Sequence, residues 1–285
     1  MTQVTGLFAS VLFSILMASQ VLAFPLPRPG NTPGEMNSSA DSNYDFNGIV
    51  ALDNCSGSIV RFESSKDSDP AMVLTNGHCL ESGFSAPGEV VSHQASSRDF
   101  RVLDSHAASL GHLTASEVIY STMTKTDMTL YQTVETYAEI EKQFHVQALT
   151  LASKHPELMT KIEVISGYWK KGYSCSVDSF ISNLKEDQWT FTDSIRYSRP
   201  GCETVGGTSG SPILQAGTRI VIGVNNTGNE NGEKCSMNNP CEVSQDGKVT
   251  YEKGLTYGQE TYWIYSCMNA QNKLDLSIAG CTLPK

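Results

Sequence analysis

The chain has 285 residues, with 30 acidic against 20 basic side chains and a formal net charge of −10 at pH 7. Such a surplus repels phosphate backbones and anionic headgroups, so neither nucleic acid nor a membrane surface is an expected partner. The length allows one large all-β domain or two small barrels, each around a sizeable core.

Residues 1–23 carry no charged side chain, and the apolar run within them covers residues 7–18. That run is shorter than the roughly 18–20 residues needed to span a bilayer, and Val21-Leu22-Ala23 supplies a small-residue cleavage site. Residues 1–23 are therefore expected to be a secretory signal, although its only positive charge is the α-amine. No other stretch is apolar enough to cross a membrane, and the protein is expected to be secreted or periplasmic. Residues 24–46 hold Pro25, Pro27, Pro29 and Pro33 among Asn, Ser and Gly. They have too little apolar surface to fold and are expected to be a linker or a pro-segment.

From residue 48 onward, short β-rich runs alternate with turn residues. They fall at 48–52, 58–62, 72–75, 101–103, 117–120 and 128–132, then at 162–168, 188–191, 195–197, 212–214 and 220–224. About eleven short strands separated by turn signals predict an all-β barrel or sandwich rather than alternating β and α units. Only residues 134–144 carry enough Glu, Ala and Lys to predict a helix. Eight cysteines in a chain with an export signal predict four disulfides. There is no Cys-x-x-Cys and no histidine at ligand spacing from Cys79, so no metal is expected. His93, His106, His112, His145 and His155 fall in no motif and are expected at the surface.

Three segments carry chemistry. His78 lies in Leu74-Thr75-Asn76-Gly77-His78-Cys79, Asp127 in Thr126-Asp127-Met128-Thr129-Leu130, and Ser209 in Gly206-Gly207-Thr208-Ser209-Gly210-Ser211-Pro212. A serine hydroxyl is a weak nucleophile at neutral pH and needs a base within hydrogen-bond reach. A histidine of pKa near 6.5 can take that proton and return it to a leaving amine, while an aspartate fixes its tautomer. Asp104 is a rival for the acid. The order His…Asp…Ser is that of chymotrypsin-type proteases, whereas subtilisin runs Asp…His…Ser and α/β-hydrolases run Ser…Asp…His.

The resemblance extends to flanking motifs. Cys55-Ser56-Gly57-Ser58-Ile59-Val60 resembles the Cys-Gly-Gly-Ser-Leu-Ile strand of trypsin-like serine proteases, and the His78 segment their Thr-Ala-Ala-His-Cys turn. Val146-Gln147-Ala148-Leu149-Thr150-Leu151 is similar to their inter-barrel connection, and Ile165-Ser166-Gly167-Tyr168 to the Val-Thr-Gly-Trp strand opening the second barrel. Asp127 stands before Met-Thr-Leu as the family's aspartate stands before Ile-Ala-Leu, and the serine motif is closer to the glutamyl-endopeptidase branch. The likeness covers roughly residues 48–228.

This resemblance implies two antiparallel six-stranded barrels, at 47–147 and 148–285, the second with a disulfide-clamped tail. It implies a serine endopeptidase, acting as a monomer on protein or peptide substrates and without a cofactor. His78, Asp127 and Ser209 would be catalytic, and the amides of Gly207 and Ser209 would form the oxyanion hole. It also implies a Cys55–Cys79 bridge; Cys175–Cys202, Cys235–Cys241 and Cys267–Cys281 then follow as nearest-neighbour pairs. Thr208 replaces the aspartate that captures a new N-terminus in trypsin-like zymogens, so activation by amine insertion is not expected. Glu203 falls at the floor of the primary pocket, where an acid selects Lys or Arg. Thr204, Asn225, Asn226 and Thr227 would line that pocket. Asn225 stands where glutamyl endopeptidases keep a histidine, so preference for Glu is not expected. Thr227 replaces a usual glycine, which makes specificity for small residues the alternative. A catalytically silent, protein-binding member of the family is a further alternative.

Overall fold

The computed structural model describes Asp41 and residues 43–285. The expected signal and residues 24–40 of the Pro-rich segment lie outside the described residues. The first half of the chain runs β1 (Ile49–Ala51), β2 (Ser56–Arg61), β3 (Pro70–Thr75), β4 (Val90–Ala95), β5 (Asp99–Leu103), β6 (Ser109–Thr122) and β7 (Met128–Thr136). Six of these pair in the order β1-β5-β6-β7-β3-β2, and β1 closes on β2; β4 pairs only with β6. Side chains alternate across each strand. Ile59, Val73 and Tyr131 turn into one buried cluster with Phe100 and Leu113, while Val60, Leu74 and Leu130 join another with Phe46 and Tyr120.

After β7 comes one helix, α1 (Tyr137–Phe144). It is shorter than the expected 134–144 because β7 continues to Thr136, which pairs with Pro70. Thr136 then caps the helix: the Glu139 amide donates to Thr136 Oγ1 (3.2 Å) and the Glu139 carboxylate accepts from the Thr136 amide (2.9 Å).

The second half contains β8 (Leu149–Leu151), β9 (Lys161–Ser166), β10 (Lys171–Ile181), β11 (Leu184–Glu186), β12 (Trp189–Phe191), β13 (Ser194–Tyr197), β14 (Pro212–Gln215), β15 (Ile220–Gly228), β16 (Cys241–Val243), β17 (Val249–Thr250) and β18 (Thr256–Glu260). β15, β14, β9, β10, β13 and β18 pair in that order, and β18 returns to β15 to close a second ring. β8 runs parallel to both β2 and β15 and so joins the two rings. A separate sheet, β12-β11-β16-β17, stands beside them. Among the described residues no helix is long and apolar enough to cross a membrane.

Two boundaries differ from the sequence expectation. Phe46 is fully buried and the Tyr44 hydroxyl is 2.8 Å from Ser174 Oγ, so ordered packing begins before residue 47. The tail is also not confined to the second barrel. Ile264, Leu274 and Leu283 pack with Phe62 and Tyr120 of the first, the Phe62 and Tyr265 rings meet edge to face at 5.3 Å, and the Tyr120 hydroxyl donates to the Pro284 carbonyl (3.2 Å).

The disulfides are Cys55–Cys79, Cys175–Cys202, Cys235–Cys241 and Cys267–Cys281. The first ties β2 to the turn that carries His78. Replacing both cysteines by alanine should cost about 3 kcal/mol, the chain-entropy value for a loop of this size. Urea titration followed by tryptophan fluorescence measures that loss, and an unchanged midpoint would contradict it.

Candidate active site

His78 sits in a single 3₁₀ turn, Gly77–Cys79, immediately after β3. Only glycine fits before it, because a Cβ on Gly77 would lie 2.1 Å from the Thr122 carbonyl oxygen. The turn is gripped by Asp127, whose Oδ1 accepts from the His78 amide (3.0 Å) and whose Oδ2 lies 2.7 Å from Nδ1 of the ring. Asp127 is 1% exposed, so this carboxylate–imidazole pair is desolvated on one side. Nδ1–H donating to Asp127 leaves Nε2 as the basic nitrogen. Asp104, the rival acid, is occupied elsewhere, accepting from the amides of His106 and Ala108 (both 2.8 Å).

Ser209 reaches the same cleft from the second barrel. Its hydroxyl donates to the Asn226 carbonyl at 3.3 Å, and its own carbonyl accepts from the Ser56 amide at 2.8 Å. Gly207 takes φ +88°, and a Cβ there would meet the Trp169 indole at 2.8 Å. That indole donates to the Gly206 carbonyl (2.7 Å). A trans peptide points its N–H opposite to its C=O, so Trp169 turns the Gly207 amide the other way. The amides of Gly207 and Ser209 have no hydrogen-bond partner among the described residues. Two free donors beside a nucleophile can stabilise a developing oxyanion.

The residue before Ser209 is held by an internal network. Thr208 Oγ1 donates to the Val205 carbonyl (2.5 Å), and the Asn225 amide donates to the Thr208 carbonyl (3.0 Å) and Oγ1 (3.2 Å). Asn225 Oδ1 in turn accepts from the Tyr197 hydroxyl (3.1 Å). Asn225, expected to meet substrate, therefore directs its amide into the protein and holds the nucleophile's loop. Asn226 contributes its carbonyl to Ser209.

Glu203, Thr204, Asn225, Asn226 and Thr227 all line the cleft, whose volume is about 450 Å³. Glu203 is exposed rather than sunk at a pocket floor, because the Gly201 amide donates to its carboxylate oxygens (3.0 and 3.2 Å) and holds it against its own loop. A second acid was not anticipated from the sequence. Glu186, on β11, is 6% exposed, accepts from the Asn238 amide (2.7 Å) and is hydrogen-bonded by the Thr227 side chain. Phe84 and Trp189 wall the same region, their rings 5.7 Å apart.

The sequence matches the trypsin-like peptidase domain over residues 55–224. The chain belongs to this family. Among solved structures it is similar to the MamO protease domain from Magnetospirillum magneticum, at 14% identity over 79% of this chain and 98% of that one, with a TM-score of 0.48. It is also similar to the Rv3671c protease from M. tuberculosis (15% identity, 83% of this chain and 81% of that one, TM-score 0.43). A third is the protease Anisep from Arthrobacter nicotinovorans (15%, 78% and 92%, TM-score 0.45). No curated protein matches the sequence.

Within this trypsin-like peptidase the electrostatics of His78 have opposing causes. Burial alone would lower its pKa, but the Asp127 carboxylate outweighs burial, Glu186 adds to it, and the net direction is upward. Burial pushes Glu186 itself up to about 7, against the hydrogen bonds from Thr227 and Asn238. A base must be neutral to accept a proton, so activity should fall as pH drops through a value above the usual histidine pKa of about 6.5. Glu186→Gln removes a negative charge, lowers the His78 pKa and should move that acid limb of the kcat/KM profile downward. An unmoved limb would show that the two groups do not interact.

Trp169→Phe keeps the ring but loses the donor to Gly206. Losing an oxyanion donor outright costs ~10²–10³ in rate, so freeing this peptide to rotate should lower kcat by about tenfold with KM little changed. Steady-state kinetics on a peptide amide tests this.

Proposed function

We propose that this protein is a secreted serine endopeptidase that hydrolyses peptide bonds through an acyl-enzyme, with residues 1–23 as its signal and the Pro-rich stretch that follows as linker or pro-segment. The observation that carries the proposal is convergence on one cleft of an imidazole anchored on a buried carboxylate and a serine hydroxyl, with partnerless amides at that serine and two residues before it. In the reaction, the Ser209 hydroxyl leaves the Asn226 carbonyl and gives its proton to Nε2 of His78. Oγ attacks the substrate carbonyl, whose oxygen takes the charge and turns to the amides of Gly207 and Ser209. Asp127 stabilises the imidazolium, which then protonates the leaving amine. Water repeats the sequence to release the acid.

Charge along the cleft favours cationic substrates. Glu186, Glu203 and Glu230 line it, against Lys253 as the one lysine there. We read this as selection for Lys or Arg near the scissile bond, with Glu203 and Glu186 both contributing. A phosphonyl fluoride should label Ser209 alone, and Ser209→Ala or His78→Ala should lower kcat by about 10⁴–10⁶. Undiminished turnover in Ser209→Ala would end the proposal, and absence of turnover in the native protein would favour a silent binding protein. Peptide-library profiling should show cleavage dominated by basic residues and weakened in Glu203→Gln and Glu186→Gln. Dominant cleavage after Ala or Val, unchanged in both variants, would make the pocket one for small residues.

A further inference from the structure

His155, Asp193 and Glu260 meet at one end of the second barrel, none of them lining the cleft. They come from three segments. His155 follows β8, Asp193 lies in the turn between β12 and β13, and Glu260 ends β18. His155 Nε2 is 3.1 Å from Glu260 Oε1 and 3.4 Å from Asp193 Oδ2, and the ligand atoms of all three lie within 4.8 Å of one another.

The imidazole is held in one orientation. Its Nδ1 is 2.6 Å from the Pro156 carbonyl, which can only accept, so Nδ1 carries the proton and Nε2 presents its lone pair to the carboxylates in the neutral ring. The ring packs against Phe180 (centroids 4.3 Å apart) and Tyr262 (5.3 Å). The Tyr262 hydroxyl approaches Asp193 Oδ2 at 3.4 Å. An oriented imidazole with its second nitrogen on a carbonyl is the usual setting of a metal-ligating histidine.

Glu260 is the independent sign. Its side chain has no exposed surface, and no donor meets either carboxylate oxygen in good hydrogen-bond geometry, its polar neighbours being His155, Asp193 and the Trp263 side chain. A buried carboxylate is costly unless it is paired or bound to a metal.

Ligand atoms each about 2.1 Å from a common ion lie about 3.0–3.4 Å apart for octahedral to tetrahedral angles, which matches both contacts of Nε2. One imidazole and two carboxylates suit a first-row divalent ion better than calcium or magnesium, which favour oxygen alone. The His155 and Asp193 side chains are 39% and 31% exposed, which gives an ion and its remaining water ligand a way in. We propose that His155, Asp193 and Glu260 form a binding site for a first-row divalent cation of the zinc or manganese kind, pinning three segments of the second barrel together.

The experiment is calorimetric titration of ZnCl₂ and MnCl₂, with CaCl₂ and MgCl₂ in parallel, into the chelator-stripped full-length mature protein. One zinc or manganese ion per chain should bind. Saturating metal should raise Tm by about 5 °C. Glu260→Gln keeps the shape and removes a buried charge, so it should fold; it and Asp193→Asn should lose the ion and the Tm increment. His78→Ala should retain both. No binding of either ion, binding of calcium or magnesium alone, or a zinc ion kept in Glu260→Gln and lost in His78→Ala would each overturn the proposal.

Discussion

The side chain of Asn76 holds the two halves of the cleft in register. It is fully buried, two residues before His78. Its amide donates to the Asp127 carbonyl (2.8 Å), and its oxygen accepts from the Gly210 amide (2.5 Å), next to Ser209. One side chain thus touches the segments of His78, Asp127 and Ser209, which lie far apart in the chain. The Ser56 amide on the Ser209 carbonyl and Thr75 Oγ1 on the Ser56 carbonyl (2.8 Å each) extend the same seam. A lost partner here would leave a buried polar group unmatched, at about 1–3 kcal/mol for each. A misplacement of one ångström at the reacting atoms would cost far more in rate.

The loop before the nucleophile shows a second arrangement of the same kind. In trypsin-like zymogens an ion pair with a freed amine orders this loop, and Thr208 cannot form one. Neutral bonds among Thr208, Asn225 and Tyr197 stand in its place, and the Trp169 indole fixes the Gly206 carbonyl. These contacts form on folding and need no new chain terminus.

What was legible in the sequence follows chemistry and periodicity. The candidates His78, Asp127 and Ser209 stand out because nucleophilic chemistry calls for those groups, set among glycines and a cysteine, and short β-rich runs between turn residues mark β2, β3, β7 and β15. β18 was not legible. Its residues Thr256, Tyr257, Gly258, Gln259 and Glu260 are all buried although most are polar, so no hydrophobic alternation betrays them. β10 was hidden similarly by its serines and lysine. Glu186 and Trp169 belong to no local motif, and Asn76, though inside the His78 segment, gives no local sign of its role; all three act through partners 37 to 134 residues away. Glu203 was placed by position alone, and its local turn decided otherwise: an amide two residues earlier captures the carboxylate.

The tail has a consequence for the order in which this molecule can be completed. Ile264, Leu274 and Leu283 cover apolar side chains of the first barrel, and Pro284 accepts from Tyr120. Synthesis runs from the N-terminus, so the first barrel stays uncovered until residues 264–284 have been added, a state prone to stick to other chains. The seam around Asn76 waits as well, since its oxygen accepts from the amide of Gly210, 134 residues downstream.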